Sequence, residues 1–304
     1  MPVNLYDLAP IFHLLVMAML IALLPLCWVW LRYAQESTLR RIQLLTWMTL
    51  FLTFDLVMFG AFTRLTDSGL GCPDWPGCYG FATPFGANAH IQEAQDNLPH
   101  GPVTFAKAWI EMVHRYVGAL LGFLIICICW MAWRHRKQFK QTPTLACIAL
   151  IAVCIQGAFG AWTVTHKLMP VVVTAHLLGG MLLLALMTWL AAREREHYPV
   201  APTMQAYKPW MAVGFALLYV QIGLGGWVST NYAALACMDF PTCHGNWVPE
   251  MDLASGYSLI RGLGEMPGGE MISQPALTAI HWVHRNFAFL IFTYLGILGW
   301  TLRK

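Results

Sequence analysis

Seven stretches of this chain stay apolar for long enough to cross a bilayer, and that repetition limits the fold more than any other feature of the sequence. A spanning helix needs about 20 residues to cover about 30 Å of hydrocarbon. Segments 10–31, 42–63, 109–132, 144–164, 170–191, 209–229 and 277–302 each supply that length. Of the 304 residues, 58% are apolar and 11% charged, against about 25% charged in ordinary soluble domains. The expected fold class is therefore all-α, a polytopic membrane helical bundle. The first segment lacks the basic n-region and small-residue cleavage site of a signal peptide and reads as a membrane anchor. No basic run could grip a phosphate backbone, so the composition excludes nucleic acid as a partner.

Charge placement sets the expected sidedness. The short connections contain Arg32, Arg40, Arg41, Arg134, Arg136, Lys137, Lys140, Arg193, Arg195 and Lys208, and the C-terminus adds Arg303 and Lys304. By the positive-inside rule these 12 of the 18 basic residues face the cytoplasm. The long connections 65–108 and 230–276, with the N-terminal segment, carry Asp7, Asp67, Asp74, Glu93, Asp96, Asp239, Glu250, Asp252, Glu265 and Glu270 and read as external. Seven spans then put the N-terminus outside and the C-terminus inside.

Of nine cysteines, Cys27, Cys127, Cys129, Cys147 and Cys154 lie in apolar runs, where a thiol behaves as a small hydrophobe. Cys72 and Cys78, and Cys237 and Cys243, sit in the two external loops with C-x5-C spacing. Disulfides are the expected state of both pairs in that compartment, with free thiols as the alternative. The two loops also repeat. Cys72, Asp74, Pro76, Cys78 and Gly80 recur as Cys237, Asp239, Pro241, Cys243 and Gly245, all at an offset of 165, and the next helices open EMVHR at 111–115 and HWVHR at 281–285. Two pseudosymmetric modules follow as an expectation: an extra N-terminal transmembrane anchor at 1–36, a first four-helix module at 37–200, and a partial second module at 201–304. The second module is two helices short on this count, and segment 10–31 could take the place of one of them in packing.

His114 and His176 lie at similar depth from the external edge of their spans, and two neutral imidazoles in an apolar bundle suit the iron of a porphyrin. His284 matches His114 in the repeat and is the third ligand candidate, while His281 stands where the first copy has Glu111. Arg115 and Arg285 follow the ligand candidates; each either forks onto a porphyrin propionate or snorkels to the interface. Glu111, one turn before His114, can orient the ligand, pair with Arg115, or stabilise positive charge developing beside a heme substituent. Asp55 is a costly charge in its span with no partner evident from the sequence. His90, His100, His135, His166, His197 and His244 read as loop or solvated residues.

The motifs FGAFTRLTDSGLGCPDWPGCYG, WIEMVHRYVGALLGF, QGAFGAWTV, TAHLLGG and the second cysteine loop together resemble the heme A synthase family, from about residue 42 to the end. The resemblance implies oxidation of the C8 methyl group of heme O to the formyl group of heme A by successive hydroxylation, for assembly of a terminal cytochrome oxidase. It implies that His114 and His176 hold the substrate heme, that Glu111 is the functional carboxylate beside it, and that His284 ligates a heme b cofactor. It makes Cys72 and Cys78 an external redox-sensitive pair. Implied partners are heme O and its synthase, an electron acceptor, terminal oxidase assembly factors and the lipid bilayer of a bacterial-type inner (plasma) membrane. Family members finish the second bundle with two further helices, so the expectation is a shortened member of the family. The other functional class open to such a chain is a heme-binding or heme-transfer membrane protein without oxidation chemistry.

Sidedness is tested by thiol labelling of intact cells, using His90→Cys and Lys137→Cys reporters on a background without accessible thiols. Position 90 should label and position 137 should not; the reverse pattern inverts the topology.

Overall fold

The computed structural model describes residues 9–99, 101–138, 142–194, 202–266 and 268–303. Asp7, His100, Lys140, Arg195, His197 and Lys304, used above, lie outside the described residues, as do residues 1–8 of the expected anchor. The helices in chain order are α1 (Ala9–Arg32), α2 (Thr38–Leu65), α3 (Asn88–Asn97), α4 (Phe105–Arg134), α5 (Thr142–Thr165), α6 (Pro170–Arg193), α7 (Pro202–Gln205), α8 (Lys208–Thr230), α9 (Leu253–Gly256) and α10 (Gln274–Leu302), with a 3-10 turn at Ala233–Leu235. Among the described residues α1, α2, α4, α5, α6, α8 and α10 are long and apolar enough to cross a membrane, seven spans in all.

Every span outruns the apolar segment that predicts it, and capping explains much of the difference. Ser37, Thr104 and Ser273, each just outside an apolar run, accept the backbone N–H groups of Arg40, Lys107 and Ala276. Each such cap stabilises its helix by about 1 kcal/mol. It starts the helix on polar residues that a hydropathy count leaves in the loop.

The chain divides into two compact units. Unit 1 comprises residues 1–166 and 179–196; unit 2 comprises 167–178 and 197–304. In unit 1, α4 is the central helix and packs against α1, α2 and α5. Its Leu121, Leu124, Ile125 and Ile128 are almost wholly buried, alongside Ile42 and Leu45 of α2 and Met187 and Leu190 of α6. Segment 10–31 does not stand in for a helix of the second module: α1 lies in unit 1. Its small residues Ala18, Ala22 and Val29 are fully buried, and such side chains let helix backbones approach closely where lipid offers no hydrophobic drive.

Unit 2 is built on the packing of α8 against α10. The Thr174 and Thr230 hydroxyls are 3.3 Å apart, and the Tyr219 hydroxyl donates to the Leu178 carbonyl at 3.0 Å. The long connection is fastened by Arg261, 4% exposed, which lies over the Trp227 ring at 5.6 Å and donates to the Asn231 side chain and the Glu265 carbonyl. This guanidinium sits at the C-terminal end of α8, where the helix dipole favours a cation.

The two cysteine loops adopt the same local structure. Cys72–Cys78 and Cys237–Cys243 are disulfides, both with Cα atoms 4.9 Å apart. Each second cysteine opens a tight turn whose two central residues have positive φ, Tyr79 (51°) and Gly80 (77°) in one loop and His244 (54°) and Gly245 (75°) in the other. Glycine takes that conformation freely, while Tyr79 and His244 need support. Asp74 supplies it by accepting the N–H groups of Tyr79 at 2.6 Å and Gly80 at 2.7 Å, and Asp239 does the same for His244 at 2.7 Å and Gly245 at 2.9 Å. The Thr242 hydroxyl and these backbone donors hold the Asp239 carboxyl well below the usual carboxylate range. The repeated Asp and Gly are thus explained by one turn. A Cβ at Gly71 would lie 2.5 Å from the Lys107 carbonyl, so glycine alone lets the first loop reach the opening turn of α4.

At the other end of unit 1, Glu194 follows α6 directly and is 8% exposed. Its Oε1 accepts the Thr46 hydroxyl at 3.2 Å, its Oε2 has no hydrogen-bond partner, and its backbone carbonyl accepts from the Gln43 amide. Burial pushes the carboxyl up to about 8, with the Thr46 bond working the other way. The folded protein therefore holds this proton more tightly than the unfolded chain, and stability falls as pH rises from the ordinary carboxylate range towards 8. Glu194→Gln removes that dependence. The gain in thermal stability over the parent should be absent near pH 4, grow with pH and level off above pH 8; a gain that is the same at every pH contradicts the assignment.

Candidate functional site

In unit 1 the site grows out of one turn of α4. Arg115 reaches 38 to 43 residues back along the chain: its Nη1 donates to the carbonyls of Asp74 at 2.8 Å and Gly77 at 2.5 Å, and its Nη2 donates to that of Cys72 at 3.4 Å. The same guanidinium pairs with Glu111 at 2.5 Å, one turn earlier on the helix. The other oxygen of Glu111 accepts the Cys72 N–H at 2.8 Å. A carboxylate 5% exposed is thereby held by a cation and by a backbone donor of the disulfide loop. Buried charges need such partners, and the pairing fixes where the charge can act. Tyr116 adds a hydroxyl bond to the Ala82 carbonyl.

Unit 2 repeats the clamp with a different occupant. Arg285 Nη1 donates to the carbonyls of Asp239 at 2.8 Å and Thr242 at 2.7 Å, and Nη2 to that of Cys237 at 3.0 Å. His281 replaces the glutamate: its Nδ1 is 3.0 Å from the Ala233 carbonyl and its Nε2 3.2 Å from Arg285 Nη2. A carbonyl only accepts and a guanidinium only donates, so the hydrogen is on Nδ1 and the imidazole is neutral. The first site places a carboxyl group at this position, and the second a neutral imidazole.

The ligand candidates sit beside glycines. His114 and His284 both fall in the third turn of their helices, α4 and α10. A Cβ at Gly60 of α2 would approach His114 Nε2 to 3.0 Å, and a Cβ at Gly225 of α8 would approach His284 Cε1 to 3.1 Å. Gly60 and Gly225 are related by the same offset of 165 as the cysteine loops. On α4, Gly118 and Gly122 follow His114 at four-residue spacing, and a Cβ at either would meet nothing within 4 Å. An imidazole above a bare helix face is an arrangement that a flat macrocycle fits. His176 is half-buried in the second turn of α6, on the portion of that helix belonging to unit 2.

The structure thus joins Glu111, Arg115 and Cys72–Cys78 within unit 1, and His281, Arg285 and Cys237–Cys243 within unit 2. Asp55 is exposed on α2. Among the described residues no three or more His, Cys, Asp or Glu come together as a metal site; a porphyrin iron asks the protein only for axial nitrogens. One residue absent from the sequence argument belongs to the second site. Gln221, one turn before Gly225 on α8, has its amide nitrogen 3.1 Å from His284 Nδ1. Its signal was a lone amide in an apolar span, where polar side chains are expensive.

Comparison with known proteins gives the family. Residues 43–304 match the COX15-CtaA family, described as cytochrome oxidase assembly protein. The chain is 40% identical over 265 residues to a heme A synthase of Shewanella oneidensis, covering 85% of this chain and 79% of that protein. It is 30% identical over 255 residues to a heme A synthase of Halalkalibacterium halodurans, covering 82% and 72%. A heme A synthase of Bartonella quintana is 26% identical over 292 residues, covering 89% and 77%. A multi-pass helical membrane protein whose clamped glutamate and candidate histidines fall within the matched residues, this chain belongs to the heme A synthase family of cytochrome oxidase assembly proteins.

Proposed function

We propose that the chain oxidises the C8 methyl group of heme O to the formyl group of heme A by successive hydroxylation, for a terminal cytochrome oxidase. The observation that carries this is Glu111: a buried carboxylate held by Arg115 and the Cys72 N–H, one turn from His114, in a member of this family. His114 and His176 are the proposed axial nitrogens for the substrate heme. Glu111 is the catalytic residue: its fixed negative charge stabilises the electron-poor carbon as the methyl group loses electrons. Preorganised charge of this kind lowers a barrier because nothing has to reorient during the reaction. His284 is the proposed ligand of a heme b, which when bound supplies a route for electrons towards an external acceptor. Arg285 and the neutral His281 hold the second loop without placing an anion beside that heme, so the chemistry stays in the first site.

The proposal keeps two sequence modules, 37–200 and 201–304, pseudosymmetric by their repeated cysteine loops and preceded by an anchor at 1–36, with those loops outside a bacterial-type inner membrane and the C-terminus in the cytoplasm. Heme O passes from its synthase, and the product passes to terminal oxidase assembly factors.

A second reading has an observation in its favour. Arg115 already neutralises Glu111, as it would if the carboxylate were only a buttress of the loop in a protein that binds and transfers heme unchanged. Glu111→Gln separates the two, because Gln keeps the shape and one hydrogen bond but loses the charge. With heme O bound and product hemes separated by chromatography, the variant should retain heme and convert it about 100-fold more slowly or worse. Normal turnover per bound heme would exclude charge stabilisation. His114→Ala and His176→Ala should each change the heme spectrum and abolish conversion.

A further inference from the structure

Gln221 and Gly225 lie one turn apart on α8, and both contact the His284 ring. In the orientation recorded, Gln221 Nε2 approaches His284 Nδ1 at 3.1 Å and the His284 carbonyl at 3.3 Å. The amide oxygen of Gln221 is buried and has no hydrogen-bond partner. An amide nitrogen only donates, so this orientation leaves the imidazole hydrogen on Nε2. A half-turn of the amide brings Oε1 to Nδ1. The orphaned oxygen then accepts the Nδ1–H, the long bond to the His284 carbonyl is given up, and Nε2 becomes a free lone pair. The half-turn leaves the amide N–H groups in the place the oxygen held, so it is driven by the metal: with Nε2 committed to iron the hydrogen must sit on Nδ1, where the recorded orientation would set two donors against each other. Ligating histidines almost always donate their other ring N–H to such an acceptor, which fixes tautomer and ring plane.

We propose that Gln221 is the positioning residue for His284, its amide oxygen taking the Nδ1–H so that the imidazole presents Nε2 to the iron of heme b. The inference rests on His284 being a heme b ligand and deepens that assignment. It also distinguishes the two units: at the repeat offset of 165 the position of Gln221 is held in unit 1 by Leu56, whose side chain cannot accept a hydrogen bond. The second copy of the repeat thus carries an amide where the first carries a leucine.

The test uses the full chain loaded with ferric heme b, and the spectral component lost in His284→Ala identifies the heme in question. Gln221→Leu should release that heme to excess apomyoglobin about 10 to 100 times faster than the parent. It should also raise the midpoint potential, because an imidazole without an acceptor on Nδ1–H gives ferric iron less electron density. Gln221→Glu keeps the bulk and strengthens the acceptor, so the potential should fall. Opposite shifts from the two variants are a signature that loss of packing does not produce. If His284→Ala removes the component while both Gln221 variants keep the parent's release rate and potential, or shift the potential in the same direction, the role of Gln221 is overturned with the ligand assignment intact. If His284→Ala removes nothing, the ligand assignment fails and the inference falls with it.

Discussion

A guanidinium on a membrane helix that gathers the backbone carbonyls of a distant disulfide loop is the interaction on which both halves of this protein depend. The loops have few side chains to bury, and their turns force Tyr79 and His244 into positive φ. What orders them is polar: an aspartate inside each loop satisfies the turn, and an arginine outside it satisfies the carbonyls. Arg115 and Arg285 each meet carbonyls at the first cysteine and at the aspartate two residues on. Charge-assisted bonds from a planar fork suit this task because one side chain serves several acceptors at fixed angles. The cost of burying the guanidinium is offset by the number of oxygens it meets.

Once the arginine is committed to the loop, the residue one turn before it decides what the site can do. Glu111 completes the first clamp with a negative charge and takes the Cys72 N–H; His281 completes the second as a neutral ring donating to the Ala233 carbonyl. Both answers satisfy Arg115 or Arg285, so the fold tolerates either. The proposed chemistry distinguishes them, because only a carboxylate would offer electrostatic support to a carbon losing electrons. The imidazoles in the third turn are spaced from the clamp by the helix itself, which puts Glu111 and His114 on neighbouring positions three residues apart.

Much of this was legible in the sequence because it rests on local signals. Seven spans follow from uninterrupted apolar runs, and the C-x5-C pairs with their shared Asp, Pro and Gly announced two like loops. What escaped was long-range or single. Arg115 gave no sign that its partners lay some 40 residues upstream, since carbonyl acceptors leave no trace in side-chain identity. Segment 10–31 has no motif, and only the burial of Ala18, Ala22 and Val29 shows that it belongs to unit 1. Gln221 is one amide in an apolar run with no counterpart in the first copy, so the repeat that located His284 passed over it. Helix starts and apolar edges also do not coincide: Thr104 starts α4 before the hydrophobic run, so His114 lies a turn further from its helix start than His176 does from its own.

The central claim, that each arginine orders its own cysteine loop through the carbonyls, is tested most directly by hydrogen–deuterium exchange on an Arg115→Lys protein. Lysine keeps the charge and loses the fork. Peptides spanning residues 71–81 should exchange faster than in the parent while those spanning 237–246 are unchanged, since Arg285 still holds the second loop. Unchanged exchange across 71–81 would contradict the account.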